Sequence, residues 1–291
     1  EGFIISDWDG IDYLSEDYYD AVGKGVNAGI DMFMVSVEWI EFISHVRNHV
    51  LNGTVSMQRI DDAVRRILLT KFAAGLFDKP RPQERPWSNS DSFGADQHRE
   101  IAREAVRKSM VLLKNQDELL PLKKQARILV AGKSADNRGH QCGGFTVAWQ
   151  GVQDNESIVG GTSVWEGIKN QAANAVLSED GLGLDADPTL HDVAVGVIGE
   201  RPYAEGMGDV RYGDNVLVEE GSQKKGGMKI LEPYGRTLEL AESHPEDLAT
   251  IKNISSRGVP LIAVLLSGRP LIINKELDEV ASFVAAWLPG S

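Results

Sequence analysis

Carboxylates that follow directly on apolar runs are the residues of this chain best placed to do chemistry. The first is Asp7, at the end of Gly2-Phe3-Ile4-Ile5-Ser6, with Trp8 beside it. The run reads as a short, fully buried strand closing on a polar Ser-Asp pair. In a parallel α/β barrel, catalytic side chains stand at the C-terminal ends of strands, which is the position of Asp7. A carboxylate next to an indole suits sugar chemistry: the ring stacks on a sugar's apolar face while the carboxylate addresses the anomeric carbon. The same position suits a helix cap by Ser6 or Asp7 equally well, and position alone does not separate the two readings.

A second group follows the apolar run 193–198. Gly199-Glu200-Arg201-Pro202-Tyr203-Ala204-Glu205-Gly206-Met207-Gly208-Asp209 carries Glu200, Glu205 and Asp209. Glu200 sits at the strand end, where an Arg or a backbone amide can hold it structurally. Glu205 lies farther out among small residues. A general acid must keep its proton at working pH, and a partly desolvated carboxylate on such a loop fits that task. Taken singly, each of these acids also reads as an ordinary solvated charge. Gln141-Cys142-Gly143-Gly144-Phe145-Thr146-Val147-Ala148-Trp149-Gln150 places a Gly pair beside a Phe and a Trp, a composition for a sugar-stacking lip or for a core tryptophan. Ala131-Gly132-Lys133-Ser134 is not a phosphate loop, because Arg127 stands where that pattern needs Gly. His45 and His49, at i and i+4, lack the Glu of a zinc-protease helix and read as surface residues.

The elements that must position these residues alternate between strand and helix. After the Asp7 strand the spacing predicts a helix over 18–28 closed by Gly29, and a second buried strand over 30–37. A helix then opens at Ser56 and carries Ile60, Val64, Ile67, Leu68 and Phe72 at the 3.6-residue period, with Gly75 at its end. Strand, helix, strand, helix without hairpin turns indicates parallel βα units. Residues 79–92 are rich in Pro, Ser and charge, marking an interdomain linker over 79–95. A helix over 96–115 leads into a second α/β region whose buried strands are 128–131, 193–198, 261–266 and 283–288, with a helix over 245–256. Residues 201–244 form a long, Gly-rich, charged stretch with little periodicity, and loops of that length inside a domain are often functional.

Composition bounds the function. The formal net charge of −13 argues against a nucleic-acid partner, whose phosphates call for a basic face. A single cysteine, Cys142, rules out an internal disulfide and a thiolate metal cage. The longest apolar stretch, 259–273, is broken by Ser267-Gly268-Arg269-Pro270, so no membrane span is expected. The chain opens and stops beside apolar runs, and we expect an internal piece of a longer protein.

Gly2-Phe3-Ile4-Ile5-Ser6-Asp7-Trp8-Asp9-Gly10-Ile11-Asp12 resembles the nucleophile signature of family 3 glycoside hydrolases, in which the Asp of Ser-Asp-Trp forms the glycosyl-enzyme ester. Ala28-Gly29-Ile30-Asp31-Met32 resembles that family's next barrel strand, and Arg59-Ile60-Asp61-Asp62-Ala63-Val64-Arg65-Arg66-Ile67-Leu68 its closing barrel helix. Arg103-Glu104-Ala105-Val106-Arg107-Lys108-Ser109-Met110-Val111-Leu112-Leu113-Lys114-Asn115, Ser267-Gly268-Arg269-Pro270 and Ala285-Ala286-Trp287-Leu288-Pro289-Gly290-Ser291 are similar to segments of its second domain. The resemblance covers nearly the whole chain and is nearest to the β-glucosidase and β-glucan exohydrolase type. It implies an α/β fold: residues 1–78 as the C-terminal part of a (β/α)8 TIM-type barrel, a linker over 79–95, and residues 96–291 as an α/β-sandwich domain.

The resemblance further implies that Asp7 is the nucleophile and Glu205 the acid/base, with Glu200 supporting it from behind. Trp8 and Trp149 would pinch the sugar beyond the scissile bond, Met34 would line the pocket floor, and Phe145 stands where the type often has another Trp. The implied partner is a β-glucan or β-glucoside, with no cofactor, and a periplasmic or extracellular location is the corresponding expectation. A sister activity (β-xylosidase or β-N-acetylhexosaminidase) and a non-catalytic carbohydrate-binding relative are the alternatives. The hexosaminidase branch takes its acid/base from an Asp-His pair on a barrel loop, so the Glu205 loop favours the glucosidase type; the intact Asp7 and Glu205 argue against the binder. The family's barrel strands before the nucleophile strand carry most of the residues that hold the non-reducing sugar. The purified 291-residue chain is therefore expected to release no glucose from a β-linked disaccharide; measurable release contradicts this.

Overall fold

A computed structural model describes residues 2–182, 190–208, 216–219, 228–231 and 237–291. The chain divides into two units, one of Glu1–Phe93 with Leu217–Leu231 and the other of Gly94–Val216 with Glu232–Ser291. The first unit opens with Ile5–Trp8 (β1), which runs parallel to Met32–Met34 (β2) with Ile5 opposite Met32 and Trp8 opposite Met34. Between them lies Tyr18–Asn27 (α1), N-capped by the Asp17 carboxylate and closed at Gly29, whose φ of 104° suits a residue without Cβ. Trp39–Leu51 (α2) and Met57–Ala73 (α3) follow, the latter capped as expected by the Ser56 side chain.

Ile11, Tyr18 and Val22 form the buried centre of this unit, with Ile30, Phe33, Phe42 and Val46 packed on it. Arg59, from α3, stitches the layer together. Its guanidinium donates to the carbonyls of Val26 and Ile30 at 3.0 and 2.9 Å and to the Asp31 carboxylate at 2.6 Å. Asp31 in turn accepts the Ile4 amide at 2.9 Å, fixing the start of β1.

Two expectations need correction here. The strands over 2–6 and 30–37 are shorter than the apolar runs and are not fully buried: Ile4 and Ile5 are 57% and 47% exposed. The reason is that β1 and β2 pair only with each other among the described residues, which leaves edges uncovered. His49 is not a surface residue either, and His45 is half-buried. The His49 ring is buried, stacks on Tyr19 at 3.8 Å and donates from Nε2 to the Tyr19 carbonyl at 2.7 Å. Gly23 makes the room for it.

The second unit begins with Asp96–Ser109 (α4), after which the chain turns into a strand, Val111–Asn115 (β3), where the spacing had indicated continued helix. Ile128–Ala131 (β4), Arg138–Cys142 (α5), Val164–Gln171 (α6), Val176–Leu177 (β5) and Val193–Gly199 (β6) follow. Val216–Glu219 (β7) and Met228–Leu231 (β8), which apart from Val216 group with the first unit, pair with each other. Leu240–Ser243 (α7), Pro245–Ser255 (α8), Leu261–Leu266 (β9), Asn274–Asp278 (α9) and Ser282–Trp287 (β10) complete the chain. The long stretch 201–244 is described in part only: 209–215, 220–227 and 232–236 lie outside the described residues, and Asp209 with them.

Six strands form one sheet in the order β3-β10-β9-β6-β4-β5, parallel throughout except for β3 at the edge. Alternate residues serve opposite faces, as the two-residue strand period requires. Leu129, Ala131, Ala194, Ile198, Leu261 and Ala263 pack with Ile251 and Ile254 of α8, whereas Ile128, Val130, Val193, Val195 and Ile262 face Val164, Trp165 and Ile168 of α6. Burial on both faces is why these strands read as continuous apolar runs.

A side chain at position 23 tests the packing of the first unit. A Cβ on Gly23 would stand 2.6 Å from the His49 ring, which its bond to Tyr19 holds in place. Gly23→Ala should therefore lower stability by about 1–3 kcal/mol, read from urea unfolding.

Candidate active site

In the first unit, four consecutive residues at the end of β1 take different roles. The Ser6 hydroxyl accepts the Met34 amide at 2.9 Å. Asp9 is buried in a left-handed conformation, φ 51°. Its amide donates to the Met34 carbonyl at 3.0 Å, and its carboxylate accepts the Ser36 amide and hydroxyl at 2.9 and 2.5 Å. Ser6 and Asp9 thus tie the C-terminal ends of β1 and β2 together. Asp7 is exposed, and its Oδ1 accepts the amide of its neighbour Trp8 at 2.7 Å. Neither Ser6 nor Asp7 caps α1, a role that belongs to Asp17. Trp8 is 60% exposed and stands opposite Met34 in the register, so Asp7, Trp8 and Met34 share the C-terminal ends of two adjacent parallel strands.

In the second unit, the strand order governs where a ligand can enter. From β4 the chain goes to β5 on one side, then crosses to β6 on the other, so the connections leaving β4 and β6 diverge. Open parallel sheets bind ligands in the crevice beyond the strand ends at such a reversal. A cavity of about 300 Å³ lies there, lined by His140, Gly143, Gly144 and Phe145 from the connection after β4 and by Glu200, Tyr203 and Glu205 from that after β6.

The β6 connection is held at several points. Gly199 has φ 143°, and a Cβ there would fall on the Leu266 carbonyl; its amide donates to Asp247 at 3.0 Å. Asp247 is buried and also accepts the Lys133 ammonium. Burial pushes the Asp247 carboxyl up, against the pull of Lys133 and the Gly199 amide. Glu200 is 5% exposed: Oε1 accepts Nε and Nη2 of Arg269 at 2.9 and 2.7 Å, and Oε2 accepts the Tyr203 hydroxyl at 3.0 Å. Burial first, and then the Glu200 charge, push the Tyr203 phenol up to about 12. Farther on, the Ala204 amide donates to Gln150 at 2.8 Å. Glu205 follows, exposed and left-handed at φ 49°, at the start of the 3-10 turn Glu205–Gly208. A non-glycine residue in that region costs on the order of 1–3 kcal/mol and persists where its surroundings enforce it.

The profile of the Glycosyl hydrolase family 3 C-terminal domain matches residues 110–291, and that of the family 3 N terminal domain matches residues 1–70. This chain belongs to glycosyl hydrolase family 3. The whole chain aligns with a periplasmic beta-glucosidase of Salmonella typhimurium at 31% identity and with a lysosomal beta glucosidase of Dictyostelium discoideum at 29%. It spans 39% and 35% of the lengths of those proteins. Among solved structures, an exo-1,3/1,4-beta-glucanase from Pseudoalteromonas is 37% identical with a TM-score of 0.81, over 100% of this chain and 34% of that one.

Within this family 3 chain, the structure groups Asp7, Trp8 and Met34 in the first unit, and Phe145 with Glu205 around the cavity of the second. Trp149 is not a core residue: it is 36% exposed, and its carbonyl accepts the Phe145 amide at 2.9 Å across a tight turn. Sequence reasoning missed Arg269, Tyr203, Asp247 and His140. Arg269 carried a readable signal, a basic residue just past a buried strand, whereas the pairing of Lys133 with Asp247 joins positions 114 residues apart. Among the described residues, no group of three or more His, Cys, Asp or Glu could hold a metal. No helix there is long and apolar enough to cross a membrane.

Two histidines of the second unit are buried, His140 at the wall of the cavity and His244 at the start of α8. His140 accepts or donates at Nδ1 to the Ser134 hydroxyl at 2.9 Å, and His244 lies beside Glu246 at 3.4 Å. Burial, reinforced by Lys133, brings both imidazoles down to about 4. Unfolding restores them to about 6.5, so the unfolded chain binds more protons between these values. Their contribution is complete above about pH 6.5 and is lost as pH falls toward 4. The unfolding midpoint should drop across that window, and replacing both by Gln should flatten the slope in thermal scans.

Proposed function

We propose that this chain carries the catalytic carboxylates of a retaining, exo-acting β-glucosidase that removes terminal β-D-glucosyl residues from β-glucans or from cello- and laminari-oligosaccharides. Asp7 attacks the anomeric carbon while Glu205 protonates the departing oxygen, giving a glycosyl ester on Asp7. Glu205 then takes a proton from the water that releases glucose with its configuration retained. Such a mechanism calls for no metal or organic cofactor.

The observation that carries the reading is the contrast between the two acids of the β6 connection. Glu200 is buried and spoken for by Arg269 and Tyr203, whereas Glu205 is exposed at the cavity in a strained conformation. The exposed Asp7, next to Trp8, whose strand partner is Met34, supports the nucleophile role in the same way. Trp8, Met34, Phe145 and Trp149 then contact the sugar. Residues 1–78 would be the C-terminal part of a (β/α)8 barrel, joined through 79–95 to an α/β-sandwich domain over 96–291. The parallel βα units of the first unit and the parallel-rich sheet of the second support that division. The names of the two relatives and of the exo-glucanase support a β-glucoside substrate, and one of them a periplasmic location.

The product of the complete open reading frame that contains these residues provides the test. Asp7→Ala should abolish turnover, and Glu205→Gln should lower kcat/KM on an alkyl glucoside by roughly 10²–10⁴-fold. The first sugar seen by NMR should be the β-anomer; α-glucose as the first product contradicts retention.

A further inference from the structure

We infer that Arg269 is the positioning residue of the acid/base loop, a strap that closes residues 200–208 on themselves and so sets where Glu205 stands. The inference rests on the assignment of Glu205 as acid/base. Arg269 reaches the loop at three places. Its Nε and Nη2 meet Glu200 at the loop's start, its Nη1 donates to the Gly208 carbonyl at the loop's end, and its guanidinium lies 4.8 Å from the Tyr203 ring centre between them. The contacts at 200 and 203 precede Glu205 and the contact at 208 follows it, so one side chain brackets the left-handed residue on both sides.

The strap is anchored outside the loop it holds. Arg269 follows β9, where the Ser267 amide donates to the Trp287 carbonyl at 3.1 Å and the Ser267 side chain is buried. Gly268 admits the Tyr203 hydroxyl, which a Cβ there would meet at 3.1 Å. Only a planar fork of five donors can serve a carboxylate and a separate carbonyl while stacking on a ring; a lysine ammonium is a single point charge on a flexible stem. The Glu200–Arg269 pair is thus more than neutralisation of a buried acid, because its second function is to hold Gly208.

A displaced acid harms only steps that move a proton. In the first step, a sugar with a poor leaving group needs Glu205 as acid, whereas a 2,4-dinitrophenolate departs unaided. In the second step, azide attacks the anomeric carbon with no base required, and the Asp7 carboxylate leaves as the C–O bond breaks, giving a β-glucosyl azide.

The test uses the product of the complete open reading frame. Arg269→Lys keeps a cation on Glu200. A double variant, Arg269→Met with Glu200→Met, removes both charges and so leaves no orphaned buried acid. Both are compared with Glu205→Gln. We expect, in variants whose circular dichroism matches the parent, a loss in kcat/KM of roughly 10²-fold for cellobiose and of only about threefold for dinitrophenyl glucoside. Azide should raise kcat on the latter and yield β-glucosyl azide. Equal losses on both substrates, or no loss, overturn the positioning role while Glu205→Gln still shows the selective pattern. Absence of that pattern in Glu205→Gln itself overturns the acid/base assignment instead.

Discussion

A carboxylate taken out of water is tolerated only where hydrogen-bond donors, charged or neutral, replace its hydration, because its desolvation costs several kcal/mol. Glu200 meets that condition through Arg269 and Tyr203, and the path of the β6 connection follows from it. With Glu200 drawn inward against β9, the chain must turn back over its own hydroxyphenyl ring, and the next acid is carried outward in a left-handed turn. The same rule sorts the other acids that meet the strand ends, Asp247 of α8 among them. Asp9, Asp31 and Asp247 are each bonded to a backbone amide and to a second side chain. Asp7 and Glu205 remain exposed.

That sorting separates the scaffold acids from Asp7 and Glu205, the acids proposed to react. The scaffold acids fasten strand ends where the parallel ladder runs out of backbone partners, a structural use of charge that tolerates no loss of a partner. In the second unit they act at the reversal of strand order between β4 and β6, where diverging connections open a cavity without disturbing the sheet beneath. Glycines complete the arrangement where backbone must approach backbone. At Gly144, the Tyr203 carbonyl occupies the space a Cβ would need, so the connections after β4 and β6 lie against each other.

Most of the second unit's sheet was legible in the sequence. The strands Ile128–Ala131, Val193–Gly199 and Leu261–Leu266 are buried on both faces, and such strands announce themselves as unbroken apolar runs. Val111–Asn115 was not legible, because Val111-Leu112-Leu113 continues the helical pattern of Asp96–Ser109 and, at the sheet edge, remains half exposed. The burial of His49 depends on Gly23 and Tyr19, residues brought to it by tertiary packing. At the site, the exposed Asp7 and the held Glu200 were both readable as possibilities. What separated Glu200 from Glu205 physically is Arg269, 69 residues along the chain, and no local pattern encodes a contact of that range.

The claim on which the account stands is the proposal that Asp7 is the nucleophile. Incubating the product of the complete open reading frame with an activated 2-deoxy-2-fluoro-β-glucoside, followed by peptide mass spectrometry, addresses it directly. The account predicts one fluoroglucosyl ester, on the peptide containing Ser6-Asp7-Trp8. An ester on another carboxylate, or inactivation without any adduct, would contradict it.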